Sequence, residues 1–86
     1  MAESDASGGT DGIDLELDLK GLKCPLPVLK TRKAMGRLSP GARVRVTSSD
    51  PMSVIDIPHY CQEAGHRLIE RGGGDDLHVF LIERGA

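Results

Sequence analysis

Aromatic side chains are almost missing from this chain, which has no Trp, one Tyr and one Phe among 86 residues. A core without them must be built from Leu, Ile, Val, Ala and Met, and a domain this small buries only a modest share of its surface. That leaves little room for an enclosed active-site cavity. Long apolar runs are missing too. Nothing approaches the ~20 consecutive apolar residues of a membrane span, and the N-terminus has neither the basic start nor the apolar middle of a secretory signal. Cysteine is scarce, with Cys24 and Cys61 alone, and an isolated pair in a chain without such a signal reads as two reduced thiols in the cytoplasm. There is no Ser/His/Asp set, no pair of catalytic carboxylates and no nucleotide fingerprint, so a conventional enzyme is not expected. His59, His66 and His78 show no metal-ligand spacing with one another or with either cysteine. Neither a metal nor a cofactor is therefore expected. Gly72-Gly73-Gly74 lacks the Lys and Ser/Thr of a phosphate loop and precedes a strand, which makes it a turn.

What the chain does have is an uneven distribution of charge. The net charge is −2, yet the first 18 residues hold six acids and no Lys or Arg. Lys20, Lys23, Lys30, Arg32, Lys33 and Arg37 then follow with no acid among them. Such a segment suits an acidic partner, a nucleic acid or an anionic reacting group, or is merely a solvated helix face. Residues 1–12 contain almost nothing apolar after Met1 and cannot bury enough surface to offset their ordering entropy. They are expected to form a disordered tail ahead of one folded domain, residues 13–86.

Within that domain Ile13, Leu15, Leu17 and Leu19 alternate with Asp14, Glu16 and Asp18, the period of a strand with one buried face. Arg43-Val44-Arg45-Val46-Thr47 repeats the pattern after the Pro40-Gly41 turn, and its arginines would face the acids of the first strand if the two are neighbours. A helix is expected from Cys24-Pro25 to about Gly36, with Val28, Leu29 and Met35 on its apolar side. A second begins at Asp50 as N-cap with Pro51 after it, and Val54, Ile57, Cys61 and Ala64 recur at helical spacing up to Gly65 as C-cap. Pro58 removes an internal hydrogen bond and predicts a kink there, or a shorter helix with an extended start. Strands at about His66 to Arg71 and Leu77 to Glu83 complete a βαβαββ order. This is an α+β, two-layer sandwich with two helices on one face of a mixed four-stranded sheet. For right-handed crossovers to bring both helices to that face, the strand order is expected to reverse between them.

Cys24-Pro25-Leu26-Pro27 is the candidate site. A cysteine at a helix N-terminus lies at the positive end of the helix dipole, and Lys23 and Lys20 add positive charge, so a thiolate is expected. With Cys24 as N-cap, Pro25 and Pro27 fall at the first and third helical positions and supply no N–H. Leu26 then offers the only free amide of the first turn apart from that of Cys24. The sulfur is expected to be anionic, exposed and poorly hydrogen-bonded. Pro27 stands where a Cys-x-x-Cys motif would place a resolving thiol, so a persulfide on Cys24 would last until another protein takes it. Cys61, on the apolar stripe of the second helix, is expected to be a packing residue.

Leu15-Glu16-Leu17-Asp18 through Gly21-Leu22-Lys23-Cys24-Pro25-Leu26-Pro27, with Asp50-Pro51, Asp56-Ile57-Pro58 and Gly65-His66, resembles the TusA/SirA-like sulfur carriers. The likeness covers about residues 13 to 84. It implies a small two-layer fold whose Cys24 accepts sulfur from a cysteine desulfurase or a rhodanese-like donor. It also implies relay to an acceptor serving tRNA 2-thiouridine formation, molybdenum-cofactor enzymes or sulfur oxidation. The tRNA-thiolation type has an acidic residue between the two prolines, where this chain has Leu26. On this reading Pro25 and Pro27 support the site, and Lys20, Lys23, Lys30, Arg32 and Lys33 form the docking surface of a monomer that binds no nucleic acid stably. Two other readings compete. A nucleic-acid module would use the basic segment, against the shortage of aromatics for stacking. A redox regulator would use Cys24 with Cys61, and needs Cys61 exposed.

Overall fold

The structure is a computed structural model that describes residues 12–85; the acidic tail expected at residues 1–12 lies, but for Gly12, outside the described residues. Strand β1 (Leu15–Leu19) leads to helix α1 (Leu26–Met35), β2 (Arg43–Ser48), α2 (Ser53–Ala64), β3 (Arg67–Gly73) and β4 (His78–Glu83). The four strands form one sheet in the order β1-β2-β4-β3. β1 pairs parallel with β2, while β4 is antiparallel to both β2 and β3.

It follows that β1, β2 and β3 all run the same way and that the two helical crossovers advance across the sheet in the same direction. The expected reversal of strand order does not occur. Two connections of one hand cover the same face when they advance in the same sense, and a reversal would have put the helices on opposite faces. Both helices do share one face: Met35 of α1 and Ile57, Tyr60 and Cys61 of α2 join Leu19, Val44, Val46, Phe80 and Ile82 in one core cluster.

Register follows from the alternation seen in the sequence. Leu15 and Leu17 lie beside Val44 and Val46, and Val44 and Val46 face Ile82 and Phe80, so one face collects the apolar set. On the other face Glu16 lies beside Arg45. The Arg45 guanidinium grips the Glu16 carboxylate, with Nε at 3.1 and 3.0 Å from its two oxygens and Nη2 also bonded to Oε2. The Arg45 side chain holds the Glu16 carboxyl below the usual carboxylate range, although an exposed pair of this kind adds little to stability. At the β3 edge, Ile69 is the extra residue of a bulge between Leu68 and Glu70.

The helices bury part of the faces the apolar pattern suggested: Val28 packs against the core and Met35, Ile57 and Cys61 lie within it, but other expected members are exposed. In α1 the buried residues are Pro27, Thr31 and Met35, and Leu29 is exposed. Thr31 can be buried because its hydroxyl donates to the Pro27 carbonyl at 2.8 Å. In α2 the buried set is Ser53, Ile57, Tyr60 and Cys61, whereas Val54 and Ala64 are exposed. The helix begins at Ser53, later than Asp50, and continues unbroken through Pro58. The hydrogen bond that Pro58 forfeits is to the carbonyl of Val54, on an exposed part of the helix where water can replace it. Gly65 ends α2 in the left-handed region at φ 80°, and the amide of His66 donates to the Cys61 carbonyl at 2.9 Å.

Substitutions at a buried and at an exposed apolar position should differ in cost. Ile57→Ala, at a position with no exposure, should cost about 2–5 kcal/mol in urea unfolding. Leu29→Ala, at a position 47% exposed, should change stability by no more than about 0.5 kcal/mol. Equal losses would contradict the faces described.

Candidate functional site

Because β1 and β2 are parallel, the loops that follow them leave the same end of the sheet, the end at which sites in open α/β sheets collect. The first of these loops carries Cys24. Leaving β1, it turns at Gly21, whose φ of 87° lies in the left-handed region, and the Gly21 amide donates to the Ser49 hydroxyl at 2.9 Å. The Leu22 amide returns to the Leu19 carbonyl at 3.2 Å. These bonds tie the loop to β1 and to the start of the β2–α2 connection.

Asp50 is the hub of the second loop. Its amide is held by the Ser48 hydroxyl at 3.1 Å. One carboxylate oxygen accepts the Met52 amide at 3.2 Å, and the other accepts the Cys24 amide at 2.5 Å. The Asp50 carbonyl accepts the amide and hydroxyl of Ser53 at 3.0 and 2.6 Å. Asp50 is therefore not the expected N-cap, a position Met52 takes; it starts the turn that leads into α2 and fixes the backbone of Cys24. Asp56, in the first turn of α2, completes the arrangement: its Oδ2 accepts a hydrogen bond from the Cys24 thiol at 3.1 Å.

These contacts overturn three expectations about Cys24. It is not the helix N-cap; Pro25 takes that position after a cis Cys24–Pro25 peptide bond, Leu26 opens the helix and Pro27 is its second residue. Nor are its amide and that of Leu26 free, since Cys24 donates to Asp50 and Leu26 donates to the Lys23 carbonyl at 2.8 Å. Finally, the thiol is not favoured as an anion. The hydrogen bond to Asp56 pushes its pKa above the ordinary thiol value, helped by desolvation and by the charges of Asp56 and Asp50. A carboxylate that accepts a hydrogen bond from the thiol stabilises the neutral form. The expected exposure is observed: Cys24 is a free, exposed thiol.

The other residues singled out in the sequence divide. Pro27 is buried beneath the motif and Pro25 is exposed. The basic residues are not among the groups that shift the thiol, which are Asp56 and Asp50. Lys20 turns to Asp18 at 3.8 Å, and Arg32 lies over the Tyr60 ring, 5.6 Å from its centroid. Lys23, Lys30 and Lys33 are exposed. Two residues after Cys24, Leu26 is exposed, as are Met52 and Ile55, which lie close in sequence to Asp50 and Asp56. Cys61 is buried, and burial pushes its thiol up to about 11, which removes the exposed second thiol that a redox pair needs. His66 is engaged in structure, its Nδ1 accepting the Gly85 amide at 3.0 Å and its Nε2 lying 3.2 Å from the Tyr60 hydroxyl. Among the described residues no cluster of His, Cys, Asp or Glu could hold a metal ion, and no helix is long and apolar enough to cross a membrane.

Asp50 and Asp56 are the site residues that sequence reasoning missed. Both were visible, one as a cap and the other within Asp56-Ile57-Pro58. Their contact with a cysteine 26 and 32 positions away arises only once α1 and α2 share one face.

Comparison with known proteins bears on this arrangement. The family model described as Sulfurtransferase TusA matches residues 15–84. The sulfur carrier protein TusA of Allochromatium vinosum is 39% identical over 72 residues, covering 83% of this chain and 93% of that protein. The sulfur carrier protein TusA of Pseudomonas aeruginosa strain PAO1 is 34% identical over 77 residues, covering 90% and 98%. The crystal structure of a SirA-like protein from Desulfitobacterium hafniense superposes with a TM-score of 0.73 at 24% identity, covering 84% of this chain and 99% of that one, and so supports the fold.

The two thiols should differ sharply toward iodoacetamide. In the folded protein Cys24 should be modified and Cys61 spared, and both should react in denaturant, as peptide mass spectrometry would show. Modification of Cys61 at the same rate as Cys24 under native conditions would contradict the burial described.

Proposed function

Because this chain belongs to the TusA sulfurtransferase family, we propose that it relays sulfur as a persulfide on Cys24. The observation that carries the proposal is the pairing of an exposed thiol with a buried one: Cys24 is open to a partner protein and Cys61 is not. The sulfur comes from the persulfide of a cysteine desulfurase or a rhodanese-like protein. The Cys24 sulfur attacks the outer sulfur of that persulfide, the donor cysteine leaves as its thiol, and a second protein later takes the outer sulfur in the same way. With Pro27 in the position three residues on, no neighbouring thiol closes a disulfide on the loaded sulfur.

Several features suit transfer between proteins. The thiol is exposed, and the segments that carry it and the two carboxylates also bear the exposed apolar residues Leu26, Met52 and Ile55, a residue type that favours docking. Lys23, Lys30 and Lys33 lie exposed on the loop and α1 and provide charge for orienting a partner. Lys20 and Arg32 already have partners within the chain and are weaker members of that surface. The protein acts on this reading as a cytoplasmic monomer. Its relay feeds tRNA 2-thiouridine formation, molybdenum-cofactor enzymes or sulfur oxidation, with Leu26 placed where an acceptor would distinguish it from carriers that have an acid there.

Incubation with a cysteine desulfurase and cysteine should add one sulfur atom to the protein, read by intact-mass spectrometry. The Cys24→Ser form should gain none, and Cys61→Ser should load like the wild type. Equal loading of Cys24→Ser would sink the proposal.

A further inference from the structure

The loaded and empty states of Cys24 differ in one atom that the structure places: the proton on Sγ. In the empty state that proton lies between Sγ and Asp56 Oδ2, 3.1 Å apart. Once Sγ is bonded to a second sulfur it has no proton to donate, and the same carboxylate then faces a sulfur that can only accept. The outer sulfur of a persulfide also ionises more readily than a thiol, and both charged groups placed on Cys24, Asp56 and Asp50, are negative. Asp56 therefore interacts favourably with one state and unfavourably with the other.

From this geometry we propose that Asp56 holds the proton of the empty carrier and so biases sulfur exchange toward discharge. The inference rests on Cys24 being the sulfur carrier. The exchange is Cys24–SH with donor–S–SH giving Cys24–S–SH and donor–SH. The bond between the donor's two sulfurs breaks, a bond from Cys24 Sγ to the outer sulfur forms, and the electron pair of the broken bond leaves on the donor sulfur. The Sγ proton passes by way of the Asp56 carboxylate to that leaving sulfur. No external oxidant or reductant is needed, since one persulfide and one thiol are present on each side. Discharge reverses the roles, and Asp56 then supports return of a proton to the departing Cys24 sulfur. A carrier built this way gives up its cargo more readily than an unassisted cysteine, and its empty thiol is shielded from stray alkylation or oxidation, which need the thiolate.

The charged groups bonded to Cys24 are Asp50 from the β2–α2 loop and Asp56 from α2, with Lys23 beside it in the chain. The Asp56 side chain makes no other hydrogen bond or ion pair among the described residues, so Asp56→Asn should leave the fold intact, which circular dichroism would confirm.

The test equilibrates wild type, Asp56→Asn and Asp56→Glu with glutathione persulfide and glutathione at a fixed ratio, and reads the loaded fraction by intact mass. The pH profile of Cys24 alkylation by iodoacetamide is measured in parallel. Asp56→Asn should raise the ratio of loaded to empty carrier about three- to tenfold, the range of one exposed hydrogen bond to a charged group. Its alkylation profile should move to lower pH, and Asp56→Glu should stay nearer the wild type on both counts. If the wild type loads but Asp56→Asn has the same loaded ratio, the inference is overturned and the carrier reading stands, whether or not the alkylation profile moves. If the wild type takes no sulfur, the carrier reading itself falls and the inference with it.

Discussion

Asp50 accepts the amide of Cys24 on one carboxylate oxygen and the amide of Met52 on the other. One side chain thereby couples the loop bearing the thiol to the first turn of the second helix. Asp56, in that first turn of α2, can then reach the thiol itself. The short reach of a carboxylate makes this arrangement demanding, because the two loops must leave the same end of the sheet and the two helices must lie side by side. Parallel pairing of β1 with β2 meets the first requirement, and two crossovers that advance in one direction meet the second.

The sheet alternation and the order of elements were legible because period-two patterning in Leu15, Leu17, Val44 and Val46 leaves no other face to bury. The mixed sheet and the shared face of the helices followed from the same pattern, but the expected strand reversal did not. That step depended on the handedness of the crossovers, and the structure shows both advancing in one sense. The helix faces were less legible. Leu29 and Val54 look like core by composition, yet Thr31 and Ser53 are buried in their stead because nearby carbonyls satisfy their hydroxyls. Apolar periodicity carries no signal for a buried polar residue whose partner is local.

At the site, the cysteine was legible and its electrostatics were not. Lys20 and Lys23 are its neighbours in sequence, and sequence distance made them seem the charges that matter. Lys20 instead pairs with Asp18, while a carboxylate 26 positions away takes the Cys24 amide and one 32 positions away takes its thiol. An acceptor at hydrogen-bond distance raises the thiol's pKa and favours its neutral form. A sulfur carrier gains from that arrangement. An empty thiol kept neutral is slow to react with the wrong electrophile, and its reactivity is then set by the partner that docks over it.

The central claim is that sulfur travels on Cys24. It is tested most directly on protein loaded by a desulfurase, freed of the donor and digested, by locating the extra sulfur by peptide mass spectrometry before and after treatment with cyanide. An added sulfur is expected on the peptide containing Cys24, removed by cyanide as thiocyanate, and none on the peptide containing Cys61. Cyanide-labile sulfur on Cys61, or none on Cys24, would contradict it.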